Sequence, residues 1–187
     1  KTNDPALEGH GLTFTIGRGN ELGVAAVDCL RGMVEGRAFE DFTSQPGEFW
    51  RELVGDSQLR WLGPEKGITH MATAAVVNAL WDLWAKVEKK PLWKLLSDFS
   101  PEKLVSCIDF RYLHDALTPN QAVALLEDKA AGKEEREKEL LAKGYPAYTT
   151  SAGWLGYSDE KIRKLCQEAM AEGWDALKIK VGRDVQD

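Results

Sequence analysis

The feature that most constrains this chain is the run from Ile68 to Val87, which has helical periodicity and almost no polar face. Ile68, Met71, Ala72, Ala75, Val76, Ala79, Leu80, Leu83, Trp84 and Val87 keep the spacing of an apolar helical stripe. Val77, Trp81 and the remaining alanines widen that stripe until most of the helix is expected to be buried. Such a helix needs partners on several sides, which places it at the centre of a helical bundle. Pro91 is expected to end it, because proline cannot continue the hydrogen-bond ladder, and Leu92 to Leu96 reads as a short helical turn.

The flanking segments carry weaker signals. His10 to Ile16 alternates loosely between glycines and is rich in Thr and aromatic residues, the pattern of a strand. A turn at Gly17 to Asn20 leads into a helix from Glu21 to about Glu35, with Leu22, Ala25, Ala26, Cys29, Leu30 and Met33 on one face. Pro46 to Val54 reads as a shorter helix. Leu104 to Phe110 reads as a strand, and Thr118 to Lys143 as one long charged helix with Thr118 as N-cap before Pro119. Its middle, Gly132 to Glu139, is polar nearly all round; a solvated face is the plain reading and a partner surface the alternative.

From Ala147 the pattern changes. Ala147 to Ala152 is a Thr/Tyr-rich strand. Ser158 then caps a helix with Asp159 and Glu160 in its first turn, an apolar face of Ile162, Leu165, Cys166, Ala169 and Met170, and Gly173 at its C-terminal end. Ala176 to Val181 is a second strand. Strand, helix, strand with short connections is a βαβ unit, so the two strands should be parallel.

Composition removes several classes of function. At 43% hydrophobic and 29% charged residues, the chain has an ordinary globular composition. Its formal charge of -6 argues against a nucleic-acid or anionic-membrane partner, which would call for a basic footprint. Cys29, Cys107 and Cys166 are odd in number and far apart, so reduced core thiols are expected rather than a disulfide framework or CxxC site. His10, His70 and His114 are equally scattered and suggest no zinc site. No run is long and apolar enough to span a membrane. The opening Lys1-Thr2-Asn3-Asp4 is not expected to be a natural start, and a cytoplasmic protein is the default, or a mitochondrial one in a eukaryote.

The chemistry concentrates in Leu177-Lys178-Ile179-Lys180-Val181, where period-2 alternation puts both lysines on one face. Taken alone this is a strand with a solvated face. Parallel strands, however, are usually covered on both faces, so the lysines would point into a barrel interior or cleft. There a second positive charge disfavours protonation of its neighbour, which frees one amine to act as a base.

Beside this motif stand longer segments: Gln58 to Gly67, Thr73 to Lys86, Val105 to Tyr112 and Lys143 to Tyr157. Together with the Lys-x-Lys strand they resemble L-fuconate dehydratases, in the mandelate racemase branch of the enolase superfamily, over essentially the whole chain. The resemblance implies an α+β capping domain followed by the start of a (β/α)8 TIM-like barrel. Residues 1–100 would be most of the capping domain, 101–144 a connection, and 145–187 the first βαβ part of the barrel. It implies Mg2+-dependent dehydration of an L-fuconate-like sugar acid to a 2-keto-3-deoxy sugar acid through an enediolate, which a metal ion would stabilise. Lys180 would be the base, and Lys178 would contact the carboxylate and help keep Lys180 unprotonated. Ser151 and Trp154, after the first barrel strand, would line the pocket; the alternative for Trp154 is packing at the barrel mouth. The implied partner is a small-molecule sugar acid, and a homo-oligomer is expected.

The departures are equally specific. The family's metal-binding carboxylates and its His–Asp acid fall beyond the last residue here, and the start of the capping domain is missing. The chain is therefore expected to be part of a longer enzyme and not to dehydrate a substrate alone. Asp109 and Arg111 read as a structural ion pair, Trp81, Trp84 and Trp93 as core, and Gly17-x-Gly19 as too short for a phosphate loop. The alternatives are a related dehydratase or racemase of the superfamily, a non-catalytic interaction module, or a Schiff-base lysine at Lys180.

Overall fold

The computed structural model describes residues 1–62 and 66–182. Backbone contacts divide the chain into two units, Lys1–Ala131 and Gly132–Asp187. In the first unit the described helices are α1 (Asn20–Cys29), α2 (Arg31–Val34), α3 (Phe39–Ser44), α4 (Pro46–Val54), α5 (Ile68–Val87), α6 (Leu92–Ser97), α7 (Pro101–Ser106) and α8 (Pro119–Asp128), with a 3-10 turn at Arg60–Leu62. The second unit holds α9 (Lys133–Lys143), β1 (Thr149–Gly153), α10 (Asp159–Ala171) and β2 (Leu177–Ile179).

The central helix forms as its periodicity demands. Between Ile68 and Ala85 only Asn78 is exposed. One side of α5 packs on α3, α4 and α6 through Phe42, Phe49, Leu53, Val77, Trp84 and Leu95. Aromatic rings organise that core: Phe42 meets Trp81 edge-on at 5.1 Å between centroids, and Trp81 stacks on Trp84 at 5.3 Å. A second side, at Ala72, takes Ala26 and Leu30 from the α1 end of the bundle. The helix stops before Pro91 rather than at it. Lys89 takes a left-handed φ of 54°, and the Lys90 N–H donates to the Ala85 carbonyl at 3.0 Å, a Schellman stop made without glycine. Pro91 then caps α6.

Polar clamps hold the shorter helices. Arg37 grips both oxygens of Glu52 at 2.8 and 2.9 Å and reaches Asp41 at 3.2 Å, tying α3 to α4. Lys103 of α7 donates to the carbonyls of Thr43 and Ser44, both at 2.6 Å, and so closes the C-terminal end of α3. Asp98 accepts from Lys90 at 2.8 Å and Lys94 at 2.7 Å, and these two ammonium groups hold its carboxyl down at about 2.

Several expectations fail for identifiable reasons. His10 to Ile16 forms no ladder among the described residues; instead the chain at Gly9 and Gly11 lies close against α5. A Cβ at Gly9 would overlap the Ala79 carbonyl and one at Gly11 the Ala75 carbonyl. Asp82 accepts from the His10 N–H at 2.7 Å, and Lys86 donates to the Glu8 carbonyl at 2.9 Å. Leu12, Phe14 and Ile16 are left exposed, alternating with half-buried Thr13 and Thr15.

The strand expected over Leu104 to Phe110 does not form: Leu104 to Ser106 end α7, because Ser100 caps that helix by accepting from the Lys103 N–H and Pro101 supplies its first turn, and Cys107 to Phe110 follow as turn and loop. The helix expected from Glu21 to Glu35 breaks at Leu30, and its buried side is rotated: Ala26 and Leu30 are inside, while Leu22, Ala25 and Cys29 are exposed. Cys29 is thus not a core thiol. Cys107 and Cys166 are half-buried, and burial pushes the Cys107 thiol up. The long helix from Thr118 to Lys143 is two helices parted at Gly132, whose φ is 72°. Its cap is as read, a capping box between Thr118 and Gln121. Trp84 is core and Trp81 packs against it, but Trp93 is exposed. Asp109 and Arg111 do pair, at 3.2 Å. No helix among the described residues is long and apolar enough to cross a membrane.

Replacing Gly11 with alanine should lift this segment off α5 and cost about 1–3 kcal/mol, the usual range for overpacking; thermal unfolding of the variant measures it. Asp98 carries a pH signature. Its folded carboxyl titrates at about 2, against 3.8 ordinarily. Its stabilising contribution is therefore present above the ordinary value and lost as pH falls from there towards the folded one. Asp98→Asn should lower the melting temperature at neutral pH, and the deficit relative to the parent should shrink as the pH is taken down through that window.

Candidate functional site

In the second unit β1 and β2 pair in parallel, the arrangement the βαβ pattern requires. The crossover is α10, which packs on β1. Ser158 starts it by accepting from the Lys161 N–H, and Asp159 and Glu160 complement its positive end. Gly173, at φ 96°, ends it with a Schellman bond from the Trp174 N–H to the Ala169 carbonyl at 3.0 Å. The chain then turns directly into β2.

The pairing is irregular. Thr149 opposes Leu177 and Gly153 opposes Ile179, so three residues of β1 face the single Lys178. Such an irregularity bends a strand and re-aims its side chains. The Thr149 N–H donates to the Ala176 carbonyl at 3.2 Å, and the Lys180 N–H donates to the Gly153 carbonyl at 2.9 Å. At the second of these, Ile179 lies against the bare Cα of Gly153. A Cβ there would stand 2.8 Å from both Cγ1 and Cγ2 of Ile179. Glycine is required by closeness, not by a special backbone angle.

Lys178 is the middle residue of β2, and Lys180 follows its last residue, Ile179. Each ammonium lies over an aromatic ring. Lys180 Nζ is 4.3 Å from the centre of the Trp154 ring, and Lys178 Nζ is 5.7 Å from that of Tyr148. Ser151 is turned to a different partner: its hydroxyl is 2.9 Å from that of Thr149. Of the four residues singled out from sequence, the structure therefore brings Trp154 to Lys180, and seats Lys178 and Ser151 on other neighbours. Tyr148 was missed. Its signal was available, since it precedes the strand in Lys143 to Tyr157, but an aromatic at a strand edge carries no mark of its own.

The enclosure expected for parallel strands is not present among the described residues. Lys178 and Lys180 are exposed, as are Ile179 and Val181, because two strands and one helix leave much of a parallel sheet open. The described residues also bring together no group of three or more His, Cys, Asp or Glu side chains able to hold a metal ion. An open cavity of about 410 Å³ lies beside the C-terminal half of α5, lined by Asn78, Asp82, Lys86 and Lys90, and shares no residue with the lysine strand.

Residues 6–97 match the mandelate racemase / muconate lactonizing enzyme N-terminal domain, and the chain thus carries the capping domain of the enolase superfamily. Mitochondrial enolase superfamily member 1 of Xenopus laevis is 58% identical over 181 residues, 97% of this chain and 41% of that protein. L-galactonate dehydratase of Hypocrea jecorina is 51% identical over 185 residues, 98% of this chain and 41% of that protein. The crystal structure of human mitochondrial enolase superfamily member 1 superposes with a TM-score of 0.92 at 52% identity, covering 100% of this chain and 42% of the human one. The chain thus spans about two fifths of the length of these relatives.

Gly153→Ala tests the close approach that positions Lys180. The added methyl group should push Ile179 away, break the bond from the Lys180 amide to the Gly153 carbonyl and cost about 1–3 kcal/mol. Hydrogen exchange at the Lys180 amide should accelerate in the variant; unchanged protection would show that β2 accommodates the methyl group.

Proposed function

We propose that this chain is the capping-domain and first-barrel segment of a sugar acid dehydratase, a carbon–oxygen lyase that works at the relatives' full length. In that reading residues 1–100 belong to the cap, 101–144 connect, and 145–187 open the (β/α)8 barrel. The observation that carries it is the 51% identity to an L-galactonate dehydratase over 98% of the chain. L-Fuconate is the 6-deoxy form of L-galactonate, so both present the same configuration at the carbons that react. The substrate class is accordingly a six-carbon sugar acid of that configuration.

The chemistry asked of this segment is limited and specific. The amine of Lys180 takes the proton from the carbon next to the substrate carboxylate. That C–H electron pair becomes the double bond of an enediolate. As the carboxylate re-forms, the neighbouring C–O bond breaks, and the hydroxyl departs as water with a proton from a general acid elsewhere in the enzyme. The resulting enol takes up a proton at the carbon that lost the hydroxyl, gives up its own hydroxyl proton, and becomes the 2-keto-3-deoxy acid. Lys178 offers its ammonium to the carboxylate, and its charge disfavours a second ammonium at Lys180. Ser151 is a candidate to border the same pocket.

Magnesium, which the superfamily implies, finds no fitting set of ligands among the described residues, so no step assigned to this chain runs through it. Mitochondrial residence is favoured over cytoplasmic by the names of the animal relatives. A homo-oligomer remains part of the proposal.

In an enzyme of the relatives' length bearing this segment, Lys180→Ala should abolish exchange of the proton next to the carboxylate with deuterated solvent, followed by NMR on L-galactonate and L-fuconate. Retained exchange would remove Lys180 as the base. Loss of activity after borohydride treatment in the presence of the keto acid product would instead support a Schiff base.

A further inference from the structure

We infer that Trp154 is the positioning residue of Lys180, an aromatic seat that fixes its amine and sets the pH at which it gives up its proton, with Tyr148 seating Lys178 in the same way. The inference deepens the proposed function and rests on Lys180 being the base.

The backbone shows that the contact is built in rather than incidental. Trp154 directly follows Gly153, whose carbonyl receives the Lys180 N–H at 2.9 Å. Tyr148 directly precedes Thr149, whose N–H is bonded to the Ala176 carbonyl at 3.2 Å. Each ring is thus tied to one end of the strand pair by the residue beside it. The irregular pairing between those two bonds sets their separation along β1 against the two-residue interval between the lysines. The close fit of Ile179 on Gly153 fixes the end at Trp154 further. Ring and ammonium are then 4.3 Å apart for Lys180, within the range at which the negative face of an indole attracts a cation.

The charged surroundings leave this attraction unmasked. Among the described residues no carboxylate forms an ion pair with Lys178 or Lys180. The titratable side chains on the flanks of β1 are Tyr145, Tyr148 and Tyr157, and Lys178 lies over Tyr148. On α10, Lys161 lies 3.6 Å from the Tyr157 ring centre and Lys164 is 3.8 Å from Glu168; Asp159, Glu160 and Arg163 are its other charged residues. Lys180 is thus under two opposed influences. The Lys178 charge disfavours a second ammonium, and the Trp154 ring favours it.

The test has two independent readouts. In the 187-residue chain, labelled with 13C-lysine, ring currents from Trp154 should move the Lys180 ε-methylene protons upfield. Trp154→Leu should return them to the ordinary lysine position, while Trp154→Phe keeps part of the shift and the Lys178 signal stays in place. In the enzyme of the relatives' length, the acid limb of the pH profile for substrate proton exchange should move down by about half a unit in Trp154→Leu, and less in Trp154→Phe. An ordinary Lys180 signal in the parent chain, or one unmoved by Trp154→Leu, would overturn the seat. A lost ring-current shift with an unmoved pH profile would overturn its role in setting the proton. Should the leucine variant fail to fold, the parent spectrum and the phenylalanine variant decide. Exchange that survives Lys180→Ala would sink the base assignment while leaving the ring contact standing, so the two failures are distinguishable.

Discussion

The first unit depends on one constraint: a helix apolar on nearly every side must be covered on nearly every side. The surface of α5 makes that demand, and the neighbouring elements meet it from several directions. Its aromatic side is filled by Phe42, Phe49 and Leu53, and its small-residue side is filled by Ala26 and Leu30 at Ala72. Where alanines leave the backbone bare, at Ala75 and Ala79, a third neighbour approaches as close as glycine allows. Apolar burial of this kind sets which segments must be adjacent. The directed bonds of Arg37, Lys103 and Asp98 then fix how the short helices end and meet. Those helices have six to nine residues in α3, α4, α6 and α7, too few to persist in water without such packing.

The second unit works on a different principle, close backbone approach. A parallel pair of strands is uniform when each residue faces one partner. Here three residues of β1 face Lys178, and Gly153 then brings the strands back into register with no side chain between Ile179 and the backbone. This local geometry carries the two lysines to their rings. The path from sequence to proposed chemistry is accordingly short: a glycine permits the approach, the approach holds the strand, and the strand presents the amines.

The sequence was legible wherever a local signal and its tertiary outcome agreed. The full length of α5, the helix from Pro46 to Val54, the capping box at Thr118 and the strand–helix–strand order after Ala147 all follow from periodicity, caps and glycine stops. It misled where two local signals competed. Leu104 to Phe110 has strand-forming residues, but Ser100 and Pro101 just before it nucleate a helix, and a formed cap outweighs a weak propensity. Thr118 to Lys143 lacks any apolar stripe in its middle, so nothing opposed a break at Gly132.

The candidate site divides along the same line. Alternation alone placed Lys178 and Lys180 on one face, because period two is a property of the backbone and needs no partner. Their seats on Trp154 and Tyr148 were decided only in three dimensions. They depend on the register between β1 and β2, and that register is interrupted between Thr149 and Gly153, an irregularity that neither strand's alternation marks. The fate of His10 to Ile16 makes the same point in the first unit. Its alternation is a true strand signal, but a strand exists only with a partner to share its hydrogen bonds. What the described tertiary structure offers that segment is the bare flank of α5. The sequence by itself determined the periodicities, the helix stops and the common face of the lysines, all consequences of local backbone geometry. Tertiary structure alone decided which ladder formed and what each lysine touches, because both require groups distant in sequence to arrive at one place.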